Sequence, residues 1–247
     1  MRIRLLVASF LLGGIACGTD LSTAAVAGAR SGCLDLGGNI QSGNRCRVYA
    51  STSNYLIDMR YATDYVDQQA VTGFLAQERD RVVNMAQAPG AKFLPYALFL
   101  TSDYYGSGQN LSTTRAGLGY GRPPHGTQTI ALKAFYDAEG FFHGAKYKCF
   151  NYDLNQNRPV TLDTLFAPGT KPIDAIYTAV ATDLARQQSP RHFKLEPGIG
   201  HDPAHYQNFA ITDDSVIFFF GAGEFFPAES GDTTVPVPRS KLPPLQV

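Results

Sequence analysis

The chain has 247 residues, enough for one large domain or two small ones, and its 44% apolar and 17% charged residues are those of a folded globular protein rather than a disordered one. Twenty-one basic residues balance 21 acidic ones. This argues against nucleic acid and against a polybasic membrane contact, both of which need clustered Lys and Arg.

Arg2 and Arg4 precede a run, Leu5 to Gly18, that is apolar or small throughout. It is shorter than the ~20 residues a helix needs to cross a bilayer and fits the apolar part of an export signal. Ala25-Val26-Ala27 and Ala27-Gly28-Ala29 both suit cleavage, so residues 1–29 are expected to be a signal peptide. Its loss removes Arg2, Arg4 and Asp20 and leaves a net charge of −1. Gly14-Ile15-Ala16-Cys17 offers a competing reading as a lipoprotein signal, although Gly14 stands where such signals carry Leu or Val. The expectation is release outside the cell or association with the envelope, with membrane contact only if Cys17 is lipidated.

Export exposes the cysteines to an oxidising space. Cys33 and Cys46 flank a stretch rich in turn residues, Gly37-Gly38 and Gly43-Asn44, and are expected to form a disulfide that pins the mature N-terminus to the domain. Cys149 remains without a partner in a strand-like segment and reads as a small buried side chain.

Arg47 to Tyr61 reads as one or two strands. Asp67 is placed to cap a helix from about Gln68 to Gln87, with Val71, Phe74, Leu75, Val82, Met85 and Ala86 on one face. Glu78 interrupts that stripe, and Ala88-Pro89-Gly90 ends it. Pro95 to Tyr105 reads as a strand, and the glycine-rich stretch Gly106 to Gly126 as a long loop. Thr127–Tyr136 and Ala145–Tyr152 form a hairpin around Glu139-Gly140. Pro159 to Phe166 leads into a second helix marked by Ile173, Ile176, Tyr177, Val180 and Leu184. After a polar connector, Ser189 to Pro203, two strands, Asn208–Thr212 and Val216–Phe220, flank Asp213-Asp214-Ser215, and Thr234–Pro238 is a last extended piece. Strands outnumber helices and follow one another directly. The fold class is therefore α+β and β-rich, with mixed or antiparallel sheets packed against two main helices, in a single domain over residues 30–247.

No nucleophile elbow, phosphate loop or dinucleotide motif is present, and no cofactor is expected. The polar segment Gly200 to Asn208 holds His201 and His205 four apart, but Pro203 between them argues against a shared helical face and against a metal site. Asp202 instead suits the cap of a short turn with Pro203 in its first position. A Ser-His-Asp set drawn from Ser215, His205 and Asp202 is arithmetically available, against the reading of Ser215 as ordinary turn chemistry. Glu224 sits between Phe218-Phe219-Phe220 and Phe225-Phe226. A carboxylate there needs a partner, for which Arg239 or a backbone N–H would serve. Five Phe in nine residues exceed the needs of one strand face, so part of the run is expected at the surface.

Asp202-Pro203-x-x-Tyr206-Gln207-Asn208-Phe209-Ala210-Ile211-Thr212-x-Asp214, followed by Val216 to Phe220, Gly223-Glu224 and Val237-Pro238-Arg239-Ser240, resembles the mycobacterial secreted immunogenic antigens of the MPT type and their esterase-named relatives. Tyr65-x-Asp67-Gln68, Lys133, Tyr147-Lys148, Asp163-Thr164-Leu165 and the Cys33/Cys46 pair match as well. From about Pro159 the chain also resembles the RsiV-type domain of extracytoplasmic anti-sigma factors, with Glu224, Pro227 and Gly231 in a matching pattern. In that family the domain binds lysozyme. No transmembrane or sigma-binding segment is recognised here, so a signalling role does not carry over. The resemblance implies an α+β fold, export and interaction with a host or envelope partner. Two functions follow as expectations. One is binding of a protein or envelope ligand through Glu224, Phe225 and Tyr206. The alternative is a serine carboxylesterase acting on short acyl esters through Ser215, His205 and Asp202.

Overall fold

The computed structural model describes residues 32–108, 125–138, 144–187 and 194–247. The export segment, Cys17, most of the Gly106–Gly126 stretch and the Glu139-Gly140 turn lie outside them. No helix among the described residues is long and apolar enough to cross a membrane.

Seven strands form the first sheet in chain order: β1 (Asn39–Gln41), β2 (Arg45–Ser51), β3 (Tyr55–Ala62), β4 (Tyr96–Ser107), β5 (Thr127–Asp137), β6 (Gly144–Asp153) and β7 (Arg158–Val160). All neighbours are antiparallel except β3 and β4, which run parallel with helix α1 (Gln68–Gln87) between them. The sheet is therefore mixed, in keeping with the mixed or antiparallel sheets expected of the sequence, and it keeps the strands in chain order. A helix of this length has to be crossed before the chain can return, and a parallel neighbour is what such a crossover delivers.

Helix α1 begins where Asp67 Oδ1 accepts the Ala70 N–H at 3.2 Å and buries Val71, Leu75, Glu78, Val82 and Ala86 against the sheet. Glu78 belongs to this buried stripe. It accepts from the Tyr136 hydroxyl on β5 and pairs with Arg81 at 2.8 Å, so a carboxylate is held in an apolar face. Ile57, Met59, Leu98, Leu100, Ile130 and Leu132 complete this first core. Cys33 and Cys46 form the expected disulfide, tying residues ahead of β1 to β2.

Beyond β7 come the short α2 (Leu162–Leu165), the second long helix α3 (Pro172–Gln187), the single turn α4 (Pro197–Gly200) and a 3-10 turn, Pro203–Tyr206, capped by Asp202 as its sequence implies. A three-stranded antiparallel sheet then forms in the order β10 (Thr233–Pro238), β9 (Ser215–Phe220), β8 (Phe209–Ile211). One face buries Phe218, Phe220, Val235 and Val237 with Ile176, Val180 and Leu184 of α3. The other sets Ala210 and Phe219 on Ala131 and Cys149 of the first sheet.

The phenylalanine run meets the expectation of surface exposure only at Phe225, which is half-buried, and the rest corrects it. Phe218, Phe219, Phe220 and Phe226 are all buried. A small sheet covered on both faces needs apolar side chains on both sides of β9, and that explains the continuous run.

Polar side chains join the two sheets. Asn151 Nδ2 donates to Phe209 O at 2.9 Å, and Cys149 N donates to Asn208 Oδ1 at 3.1 Å; within the first sheet, Thr129 Oγ1 holds the Asn151 amide by donating to its Oδ1 at 2.6 Å. Buried backbone groups that leave a ladder must find partners, and Asn208 supplies one where β7 no longer covers the edge of β6.

Candidate functional site

After β9 the chain makes a tight turn, Gly221-Ala222-Gly223-Glu224. Gly223 has φ +81°, which L side chains rarely adopt. Gly221 lies flat against β6, where a Cβ would stand 2.8 Å from Ala145 O, and Ala222 N donates to that same oxygen at 3.0 Å. The turn is thus fastened to the edge of the first sheet. It closes one side of a cleft of about 280 Å³ lined by Lys146, Tyr147, Asn208 and residues 221–224.

Glu224 is fixed from two directions. Its Oε2 accepts the Gly221 N–H at 2.9 Å, and its Oε1 lies 3.1 Å from His205 Nδ1. The imidazole also stacks on Phe225, with centroids 4.9 Å apart. His205 and Glu224 remain 26% and 24% exposed, and of the two Glu224 lines the cleft. Of the two partners foreseen for Glu224, the backbone N–H is present, and His205 takes the place foreseen for Arg239.

Tyr206 is fully buried. Its hydroxyl donates to Gly200 O at 2.5 Å, and its ring packs edge-on against Phe218. Burial, followed by its neighbours Tyr177 and Glu224, pushes its hydroxyl far above the ordinary tyrosine range. It offers no contact surface and acts as the anchor of the turn that presents His205.

Asp202 spends its carboxylate on the Ala204 N–H at 2.9 Å. The Ser215 hydroxyl lies 3.0 Å from Thr212 Oγ1, within the β8–β9 turn. Ser215 starts β9 and Gly221 follows its end, so about 20 Å of extended chain separates Ser215 from the turn that holds Glu224 and His205. The structure brings His205 to Glu224, and brings neither the Ser215 hydroxyl nor the Asp202 carboxylate to His205. No spacing rule pairs residues 205 and 224. Only the return of β9 beside β8 does so.

Tyr147 borders the cleft on the other side. Its hydroxyl donates to Asp232, which also pairs with Lys133 at 2.8 Å. Burial raises the Asp232 carboxyl, but the hydrogen bonds from Lys133 and Tyr147 outweigh it and hold the group below the usual carboxylate range. Burial pushes the Cys149 thiol far above its ordinary value, which leaves it protonated and unreactive. No cluster of three or more His, Cys, Asp or Glu suited to a metal ion occurs among the described residues.

Residues 163–240 match a family model described as a protein of unknown function, DUF3298. A solved DUF3298 family protein from Pseudomonas aeruginosa PAO1 is 12% identical with a TM-score of 0.48, covering 80% of this chain and 91% of that one. Esterase Rv3036c of Mycobacterium tuberculosis is 45% identical over 90% of this chain and 91% of its own length. Immunogenic protein MPB64 of Mycobacterium bovis is 34% identical over 90% of each chain. At these identities, over nearly the whole length of both partners, the chain belongs to the mycobacterial family of the MPB64/MPT64 immunogenic proteins and Esterase Rv3036c.

Proposed function

We propose that the protein is an exported, antigen-like binding protein whose ligand occupies the cleft beside Glu224. The observation that carries this reading is the double tether of Glu224. A partly exposed carboxylate held by a backbone N–H and a histidine, with Phe225 against that histidine, is a preorganised polar contact at the mouth of a cleft. The Cys33–Cys46 disulfide supports an oxidising, extracellular location.

A second reading is hydrolysis of short acyl esters, favoured by the name of the 45% identical relative and by the same pair. With Nδ1–H donated to Glu224, His205 keeps Nε2 as a proton acceptor, the arrangement of a general base with its orienting carboxylate. In this reading His205 takes a proton from water, Glu224 rather than Asp202 orients the ring, and Ser215 is a turn residue.

One paired experiment tests both. The protein lacking residues 1–29 is assayed on p-nitrophenyl butyrate and for retention on a washed envelope fraction, alongside His205→Ala, Ser215→Ala and Glu224→Ala/Phe225→Ala. Retention lost in the Glu224/Phe225 variant, with no turnover above a heat-denatured sample, supports binding. Turnover lost in His205→Ala and kept in Ser215→Ala supports hydrolysis at His205. Turnover lost in Ser215→Ala would overturn the assignment of the reacting centre to His205 and Glu224.

A further inference from the structure

Helix α1 covers one face of the first sheet, whereas the second sheet covers the other face only over β4 to β6. The strand register shows what the remaining part of that second face carries. Tyr49, Asp58, Phe99 and Phe135 are successive partners across β2, β3, β4 and β5 and so form one row on one side of the pleat. The next row, two residues along, is Arg47, Arg60, Thr101 and Lys133.

The three rings are open to solvent: Tyr49 is 55% exposed, Phe99 41% and Phe135 43%. Phe99 and Phe135 face each other directly on adjacent strands, and the Arg47 guanidinium lies 4.9 Å above the Tyr49 ring. Phe93 is more exposed still, at 82%, but Tyr49, Phe99 and Phe135 share one row of one sheet face, and it is the aligned patch rather than any single exposed side chain that marks a contact surface.

The charges beside them are arranged with equal regularity. Asp58 accepts from both Arg47 (3.0 and 2.9 Å) and Arg60 (3.2 and 2.8 Å). Burial alone would raise the Asp58 carboxyl, but the two guanidinium groups outweigh it and hold it below the usual range. Two cations on one carboxylate leave a surplus positive charge. Each guanidinium has five donors and spends two of them on Asp58, so the rest are available outward. Arg45 and Asp103 add one charge of each sign to the same side of the sheet, as do Lys133 and Asp232, and Asp137 lies at the far end beyond Phe135, so the surplus is local to Arg47 and Arg60.

We propose that this face, built on Tyr49, Phe99 and Phe135 with Arg47 and Arg60, binds an acidic polysaccharide. Sugar rings present flat C–H faces that stack on aromatic rings. A carboxylate on such a ring meets the free guanidinium donors, and Thr101 and Asp103 offer partners to hydroxyl groups. The charge balance selects this occupant. One surplus cation suits a polymer with sparse carboxylates, whereas a nucleic acid brings one phosphate per nucleotide and calls for several. A flat face of mixed rings and charges is likewise unlike the protruding apolar segments that enter a lipid surface. None of these five residues lines the Glu224 cleft, which the face adjoins through the Phe135–Ala145 and Lys133–Tyr147 pairs, and the proposal does not depend on that cleft.

The test is affinity electrophoresis of the protein lacking residues 1–29 in gels containing polygalacturonate, with dextran and poly(dT) gels in parallel. The expected result is retardation by polygalacturonate that weakens with added NaCl, and little retardation by dextran. Phe99→Ser/Phe135→Ser and, separately, Arg60→Gln should each weaken binding about tenfold or more, with melting temperatures unchanged, while Glu224→Ala binds as before. Absence of retardation, equal retardation of the variants, or tighter binding to poly(dT) would overturn the proposal. So would concentration-dependent dimerisation abolished by the Phe99/Phe135 variant without polysaccharide binding, which would assign the face to a second copy of the chain.

Discussion

His205 Nδ1 lies 3.1 Å from Glu224 Oε1, while the other oxygen of the same carboxylate accepts the Gly221 N–H. One side chain thus fastens the Pro203–Tyr206 turn to the turn that follows β9. Glu224→Ala should cost about 1–2 kcal/mol of unfolding free energy, and Glu224→Gln clearly less, because an amide oxygen still accepts from Gly221. Urea titration of the two variants measures the difference.

Glu78, Tyr136 and Arg81 form the second coupled group. Glu78→Ala is expected to destabilise by about 2 kcal/mol and Tyr136→Phe by about 1 kcal/mol. The double variant should lose less than the sum, since both remove the same hydrogen bond. Equal and additive losses in denaturant titrations would show that the bond contributes nothing.

How far the sequence reveals the fold depends on whether local pattern or long-range return decides each element. Asp67, the 3.6-residue stripe and Ala88-Pro89 are local signals, and the α1 limits follow from them. Asp202-Pro203 marks its turn in the same way. β1 has no exposed-versus-buried alternation and is three residues long, so nothing local announces it. The βαβ crossover and the His205–Glu224 contact depend on which strand lies beside which, information no window of sequence contains. Glu78 looks like a flaw in a helix face until Tyr136, 58 residues away, arrives opposite it. The phenylalanine run misleads for a related reason: period-two reasoning assumes one wet face, and β9 has none.

Gly221→Ala places a methyl group 2.8 Å from Ala145 O, a backbone atom that cannot rotate away. A loss of about 1–3 kcal/mol is expected. Amide exchange should rise at Ala222, whose hydrogen bond to Ala145 O would lengthen.

The Cys33–Cys46 disulfide closes a short loop, sequence separation 13. Replacing both cysteines by serine should cost about 3 kcal/mol, chiefly by freeing the unfolded chain. In the protein lacking residues 1–29, mass spectrometry after unfolding in iodoacetamide should show a single alkylation, at Cys149.

Asp58 and Asp232 both titrate below the ordinary carboxylate value in the folded protein, against burial that works in the opposite direction. A depressed folded value means their contribution is complete above the unfolded value of about 3.9 and is lost as pH falls through the lower folded one. Stability should therefore drop below about pH 4, and Asp232→Asn should make that drop shallower. Urea midpoints between pH 2.5 and 7 would show parallel curves if Asp232 were uninvolved.

The hydrogen bonds from Asn151 to Phe209 and from Cys149 to Asn208 have a consequence for modularity. The segment matched by the family model, residues 163–240, contains β8 to β10 and α3 but not the platform on which they rest. Excised, it would lay Ala210 and Phe219 open to water and strip Phe209 and Asn208 of their partners. Any chain that borrows this segment has to bring a second layer of its own, so the segment is half of a sandwich and cannot be transplanted as a self-sufficient part.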